Sequence, residues 1–306
     1  MTATTATTAA AGRSRLRSRR ARLTAYLYVI PALMLIVGII YVGVVYNSWV
    51  STLDWNGLDP EPTQVGGGNY ARLLADPIFW TALRNVALFG VVTILVQMGL
   101  GLLIALVLSG PVYGRGVYRA VVFVPVVLAP AAISAAFRQF FRPDGQLNAL
   151  LDAVGLDALQ RAWVADPQVA LLALMAVNVF SWTGFSFLLY QAALSQVEAS
   201  QLEAAQIDGA GTVRTVRSIV VPQLRMTHVT LALTGVIGSL KTFDIVFLIT
   251  GGGPARSTEF LTTYIYKEAI MQFNVGYGAA LSMIVLALAL LLTAVQMRLY
   301  RLDRES

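Results

Sequence analysis

Glu203 to Pro222 reads EAAQIDGAGTVRTVRSIVVP, a polar island of about twenty residues between two long apolar runs. It opens as a short amphipathic helix, with Leu202, Ala205, Ala210 and Val213 apolar against Glu203, Gln206 and Asp208. Gly209 and Gly211 favour a sharp bend, because glycine takes backbone angles closed to other residues. Asp208 is suited to fix that bend by an Asx-type bond to nearby amides. A second helical segment then carries Arg214 and Arg217 as far as Pro222. Helix, bend and helix make a compact knob, suited to a socket on a soluble partner. The alternative for Glu203 alone is a carboxylate at a helix start, favoured there by about 0.3–1 kcal/mol.

The flanking sequence sets the class. The chain has 306 residues, 57% of them hydrophobic and 12% charged, with mean hydropathy +0.68. Soluble domains carry about 25% charged residues, so most of this chain belongs in lipid. Its apolar runs imply one polytopic membrane domain rather than two soluble ones. It has no cysteine, which excludes a disulfide framework and thiolate metal sites. One histidine, His228, builds no metal cluster and reads as a boundary residue.

Six segments are long enough to cross a hydrocarbon core of about 30 Å: Tyr26–Trp49, Asn85–Leu108, Tyr118–Phe141, Val169–Tyr190, Val229–Thr250 and Gly276–Met297. The expected fold class is therefore all-α and membrane-spanning, over residues 25–300, with the loop 198–225 as its knob. Prolines 31, 125 and 130 kink spans. Residues 1–24 read as a disordered basic segment, and Arg13, Arg15, Arg17, Arg19, Arg20 and Arg22 as a positive-inside anchor rather than a nucleic-acid patch. Residues 301–306 read as a tail.

Placing both termini inside puts 14 of the 22 Lys and Arg residues in cytoplasmic segments and seven outside, with Lys241 within a span. About ten acidic residues fall outside and five inside, so the balance fixes the orientation. The Glu203 loop is then cytoplasmic. The longer connections, at 50–84, 142–168 and 251–275, are external, each too short for a receptor domain.

The knob resembles the EAA loop of permease subunits in bacterial binding-protein-dependent ABC importers. That pattern runs Glu-Ala-Ala, two variable residues, Asp-Gly-Ala, then an apolar stretch ending Ile-x-x-Pro. Glu203, Ala204, Ala205, Asp208, Gly209, Ala210, Ile219 and Pro222 match it. Val216 stands where an aromatic is common, Met226 where a second proline often occurs, and Glu198 where a proline commonly precedes the motif. Other stretches are similar to the maltose and glycerol-phosphate branch, among them GRGVYRAVVFVPVVLAPAAISAAFRQFFRPDGQLNALL and FDIVFLITGGGPARSTEFLTTYIYKEA. The likeness extends over roughly residues 25–297.

The resemblance implies a multi-pass subunit of the bacterial inner membrane that passes a sugar or oligosaccharide inward by alternating access. Its partners would be two cytoplasmic ATP-binding subunits, a second homologous permease subunit and an extracytoplasmic solute-binding protein. The sequence has no Gly-x-x-x-x-Gly-Lys-Ser/Thr loop, so ATP and Mg would be bound by the partner ATPase, and no cofactor, metal or catalytic residue is expected here. Glu203 to Gly211 would transmit the ATPase stroke.

For the solute path, Asn178, Trp182, Phe185, Ser186 and Tyr190 cluster toward one end of the fourth span. Aromatics with neutral donors and acceptors suit the C–H faces and hydroxyl rims of sugars, although aromatics at span ends also serve as interfacial belts. Lys241 and Asp244 stand three apart, on one helix face, as an ion pair or as path-lining groups. Phe243 and Phe247 face the path or the lipid. Gly99, Gly101 and Gly110 permit close helix packing. Gly251, Gly252, Gly253 and Pro254 form an external loop, either a receptor or gating contact or a plain turn.

Three other classes fit a polytopic chain: an ion-coupled secondary transporter, a membrane-embedded enzyme, and a signalling or scaffold subunit that borrows the permease fold, which transport of labelled solute would separate from a permease. An ion-coupled secondary transporter needs buried carboxylates, and only Asp244 qualifies. A membrane-embedded enzyme needs paired intramembrane acids or a nucleophile with its base, and neither is present in the spans.

Overall fold

A computed structural model describes residues 28–305. The expected disordered segment 1–24 lies outside the described residues, as do Tyr26, Leu27 and Ser306. The first helix, α1 (Tyr28–Val50), is exposed over nearly its whole length, apolar side chains outward, as a helix facing lipid should be. A short antiparallel hairpin follows, β1 (Leu53–Asp54) with β2 (Thr63–Gln64), pairing Leu53 with Gln64 and Asp54 with Thr63.

Helix α2 (Gly68–Ala75) leads into α3 (Pro77–Ser109). The start of α3 is written locally: the Asp76 carboxylate accepts from the Ile78 amide at 2.8 Å, and Pro77 occupies the first turn, where its missing N–H costs nothing. At 33 residues it is roughly 50 Å long, more than a bilayer core.

The expected third span is instead two helices, α4 (Arg115–Val127) and α5 (Pro130–Phe140), bent by 97°. Proline pushes its predecessor out of the helical region, and both Leu128 (ψ 141°) and Ala129 (ψ 135°) are extended. Helix α6 (Gln146–Ala153) precedes α7 (Ala170–Leu194), the fourth span and the centre of the fold. Glycines let its neighbours come close. A Cβ on Gly101 of α3 would lie 2.7 Å from the Ser186 Cβ, and one on Gly184 of α7 would lie 2.3 Å from the Val122 carbonyl of α4. Gly99, expected to share this role, has open space around it.

Helix α8 (Ala199–Ile207) and a helical stretch α9 over 212–223, with a π segment at Val216–Val220, form the knob. The expected fifth span is broken. Helix α10 (Arg225–Lys241) stops at Thr242 (ψ 118°), and α11 (Asp244–Ile249) starts afresh. The freed Thr242 carbonyl accepts the hydroxyl of Thr262. A helical stretch α12 over 261–271 leads to α13 (Val275–Glu305), which runs on through the stretch read as a tail. Leu, Arg and Glu there are good helix formers, with no Gly or Pro to stop them.

Among the described residues the six expected spans are thus four continuous apolar helices, one bent pair, and one helix of 17 residues with a short continuation. The core is also in two parts. One gathers Phe89, Ile133, Leu174, Val246 and Phe260 toward the hairpin end, and the other gathers Leu108, Phe187, Tyr190, Val220 and Leu224 toward the knob.

At the hairpin end, buried polar side chains sew the long connections into a cap. Asn69 donates to the Ser51 and Leu53 carbonyls at 3.0 and 2.8 Å, and Asn85 to those of Ser257 and Glu259 at 3.0 Å each. Asn148 donates to the Pro143 and Arg161 carbonyls and accepts from Trp163 at 2.8 Å. Tyr277 donates to Asp76 at 2.8 Å, and Tyr264 donates to the same oxygen. The fully buried Glu259 pairs with Lys267 at 2.6 Å and accepts from Thr263 at 2.7 Å.

Burial works against the charged form of Asp76. The hydrogen bonds from Tyr264, Tyr277 and the Ile78 amide, with the charge of Arg256, outweigh it and hold the carboxyl below its ordinary value. A carboxyl lowered on folding stabilises in full above its unfolded value of about 3.9 and loses that contribution as pH falls through the folded value. The unfolding temperature in detergent should therefore fall on acidification below about pH 4, and Asp76→Asn should flatten that part of the profile. Glu259→Ala, which leaves the partly exposed Lys267 ammonium without its partner, should cost about 3 kcal/mol, the low end for a buried pair, while Glu259→Leu with Lys267→Met should recover most of the loss in the same assay.

Candidate functional site

A cavity of about 630 Å³ lies between α3, α7, the α4–α5 break and the α10–α11 break. Both interruptions are therefore at the site. Pro125, Leu128 and Pro130 line it from the first, and Lys241, Thr242, Phe243 and Asp244 from the second. From α7 come Asn178, Ser181, Trp182, Phe185 and Ser186, on one face at helical spacing, and from α3 come Phe89 and Thr93.

The lining mixes aromatic surface with oxygen acceptors. The hydroxyls of Thr93, Ser181 and Ser239 donate to carbonyls of their own helices at 2.7, 2.8 and 2.9 Å. Their hydrogens are spent and their lone pairs remain for another molecule. Gln97 orients Asn178 from behind, donating to its side-chain oxygen at 2.6 Å and its carbonyl at 3.1 Å. That leaves the Asn178 amide hydrogens free to donate. Trp182 and Phe185 meet edge to face at 6.3 Å.

Seven of the eight path candidates share this cavity; Tyr190 does not. It is 1% exposed, with its hydroxyl 2.7 Å from Nδ1 of His228, in the core beneath the knob. His228 is half-buried and joins α10 to α7 there, more than the boundary residue expected. Lys241 and Asp244 do not share a helix face, because the helix ends between them. Among the described residues they form no ion pair, and both present their charge to the cavity. Phe243 stacks on Phe247 at 5.0 Å, and Tyr266 packs edge-on against both. Phe243 lines the cavity, and Phe247 stands behind it.

The knob is built differently from expectation in two respects. Its helix begins at Ala199, so Glu203 lies in its interior and not at its start. The bend is closed by the backbone: the Ala210 amide donates to the Ala205 carbonyl at 2.9 Å, and the Gly209 amide to that of Gln206 at 3.0 Å. These two bonds define a Schellman end, with Gly209 at φ +72° as its left-handed residue. Asp208 makes no Asx bond; its carboxylate has no hydrogen-bond partner among the described residues. Ala205 is buried against the protein, whereas Glu203, Ala204, Asp208, Gly209 and Gly211 are exposed and Ala210 is half-buried.

The loop Gly251–Pro254 folds over the Glu259–Lys267 pair. Gly251 and Gly252 are left-handed, and a Cβ on Gly252 would lie 2.7 Å from Glu259 Oε1 and 2.8 Å from Lys267 Nζ. The bend has a packing reason that sequence did not supply. Also unread were Gln97, Thr93 and the two tyrosines on Asp76; a glutamine in an otherwise apolar span is the one of these with a visible signal.

Apolar helices exposed outward, surrounding a cavity of mixed aromatic and polar lining at two helix breaks, define an integral membrane protein of the solute-conducting class. The chain belongs to the family described as the inner membrane component of binding-protein-dependent transport systems, matched over residues 3–302. It is 34% identical over 284 residues to a probable ABC transporter permease protein, YurN, of Bacillus subtilis, covering 92% of this chain and 97% of the other. It is 32% identical to the trehalose/maltose transport system permease protein MalF of Thermococcus litoralis, covering 95% and 98%. The fold recurs in a bacterial ABC transporter involved in the import of the acidic polysaccharide alginate. There the TM-score is 0.81 at 20% identity, covering 94% of this chain and 98% of that one.

The cavity allows structural and solute-facing residues to be separated. Asn178→Ala removes a partner from the buried Gln97 amide and should cost about 1–3 kcal/mol in thermal unfolding. Trp182→Ala, at a half-exposed wall, should leave the unfolding temperature nearly unchanged.

Proposed function

We propose that this chain is the transmembrane permease subunit of an ATP-driven importer that moves a sugar or oligosaccharide into the cytoplasm by alternating access. The cavity lining carries the reading. Aromatic faces at Trp182, Phe185 and Phe243 suit the C–H faces of a sugar ring, and the hydroxyl lone pairs of Thr93, Ser181 and Ser239 suit its hydroxyl hydrogens. Likeness to a trehalose/maltose permease over nearly the whole chain supports the same class.

On this reading the chain crosses the membrane six times with both termini cytoplasmic, the bent α4–α5 pair and the broken α10–α11 pair each counting as one crossing. The domain spans residues 25–300. The cap of 50–84, 142–168 and 251–275 faces an extracytoplasmic solute-binding protein, with Gly251–Pro254 on that side. Two cytoplasmic subunits bind ATP and Mg, and a second, homologous permease subunit completes the path. Glu203, Ala204, Ala205, Asp208, Gly209, Ala210 and Gly211 seat in the ATPase, and the chain itself catalyses nothing.

The test is uptake of labelled disaccharides in cells, paired with recovery of ATPase subunits on the tagged chain. Gly209→Val places a β-branched residue at a left-handed position, costing about 1–2 kcal/mol locally, and should lower uptake at least tenfold while releasing the ATPase. Uptake that survives ATP depletion and collapses with an ionophore would instead establish an ion-coupled carrier.

A further inference from the structure

On the second helix of the knob, at a face the cavity does not use, two open hollows run together. One, of about 430 Å³, is lined by Leu106 and Val107 at the end of α3 and by Val213, Val216 and Val221 of α9. The other, of about 810 Å³, is lined by Gly211, Thr212, Arg214, Arg217 and Ser218. Thr212, Val213 and Arg217 belong to both, so an apolar groove opens into a cationic mouth. Both arginines are exposed, and among the described residues neither makes an ion pair or hydrogen bond. They stand three apart, on one helix face. Val213 is 82% and Val107 58% exposed, large apolar side chains left uncovered.

The position matches the edge of the bilayer. Leu106 and Val107 lie three and two residues from the end of α3, inside the apolar run expected to span the membrane, and Arg214 and Arg217 follow on the side expected to be cytoplasmic. A ligand that fits must carry an acyl chain for the groove and a negative charge at its polar end for the two guanidinium groups. A bare phosphate leaves the groove empty, and a neutral lipid leaves the cations unpaired.

We propose that this groove and mouth form a binding site for an anionic phospholipid, with one acyl chain against Leu106, Val107 and Val216 and the headgroup phosphate on Arg214 and Arg217. Bidentate guanidinium–phosphate contact suits the arginines over lysines. The site sits on the helix that follows the Gly209 bend, so an occupied site would brace α9 against α3.

The test uses the full chain, purified in detergent and stripped of lipid, with retention of added phosphatidylglycerol and phosphatidylcholine followed by native mass spectrometry. Phosphatidylglycerol should be retained about thirtyfold better, the order expected of two cations contributing about 1 kcal/mol each. That preference should fall as salt screens the charges. Arg214→Gln with Arg217→Gln should abolish the preference and leave phosphatidylcholine retention unchanged. Val107→Trp, which fills the groove, should lower retention of both, and an unchanged unfolding temperature shows that each variant is folded. Equal retention of the two lipids by the native chain, or an undiminished preference in the arginine variant, overturns the proposal. So does inorganic phosphate binding as tightly as the lipid. Loss of ATPase recovery in these variants with lipid retention intact would make the face a protein-docking surface and overturn it equally.

Discussion

In a bilayer core no water is at hand to satisfy a backbone N–H or carbonyl that its own helix leaves free, so a helix can be interrupted only where the protein supplies the partner. This chain interrupts two helices and answers each locally. At Thr242 the freed carbonyl takes the Thr262 hydroxyl. At the other break, Pro125 and Pro130 have no N–H to strand, and the Ala129 carbonyl accepts from Ala132 and Ile133 at 3.0 and 3.2 Å. Both breaks face one space, and that space is the cavity. Interrupting a helix there adds extended backbone, at Leu128 and Thr242, to a wall whose polar side chains come also from the unbroken α3 and α7.

The same constraint explains what could be read in the sequence. Long apolar runs declare themselves by composition, and most helix ends follow within a few residues, although α3 starts eight residues earlier and α13 ends eight residues later than expected. The motif Glu203–Gly211 is local, and so was its bend, since Gly209 carries its reason in its own backbone. What composition does not carry is continuity. The apolar run around Thr242 looks the same broken or whole, and the assumption of a whole helix produced the Lys241–Asp244 face that the chain does not have. Pro125 and Pro130 signalled a kink but not a bend of 97°.

Long-range polar pairing was equally silent. Asn85 caps two carbonyls 172 and 174 residues away, and Glu259 is buried under a glycine loop that reads as a turn. Tyr190 shows the converse error. An aromatic with a hydroxyl, two turns from Trp182, reads as part of the same surface. Its hydroxyl is committed to His228 instead, a partner 38 residues on. A distant partner does not by itself remove a residue from the cavity: Asn178 is held by Gln97, 81 residues away, and still lines it.

The arrangement of the last helices joins the knob to the cavity by a short mechanical route. Helix α10 starts just after the knob and ends at Lys241, on the cavity wall, with no glycine-mediated bend between. Its first turn is held to α7 by the Tyr190–His228 bond, and its last turn packs on α3 where a Cβ at Gly90 would lie 2.8 Å from the Ser239 hydroxyl. Under the proposed coupling, a displacement at the Gly209 bend meets a first joint at Leu224 (ψ 9°), between α9 and α10, and a second at Thr242 (ψ 118°). On that reading the break at Thr242 would open the wall to a solute and let α10 move while α11 stays packed under the cap, where Val246 is fully buried. A continuous helix from Arg225 to Ile249 would carry the same motion into the buried Val246 and Phe260 and be resisted by the core.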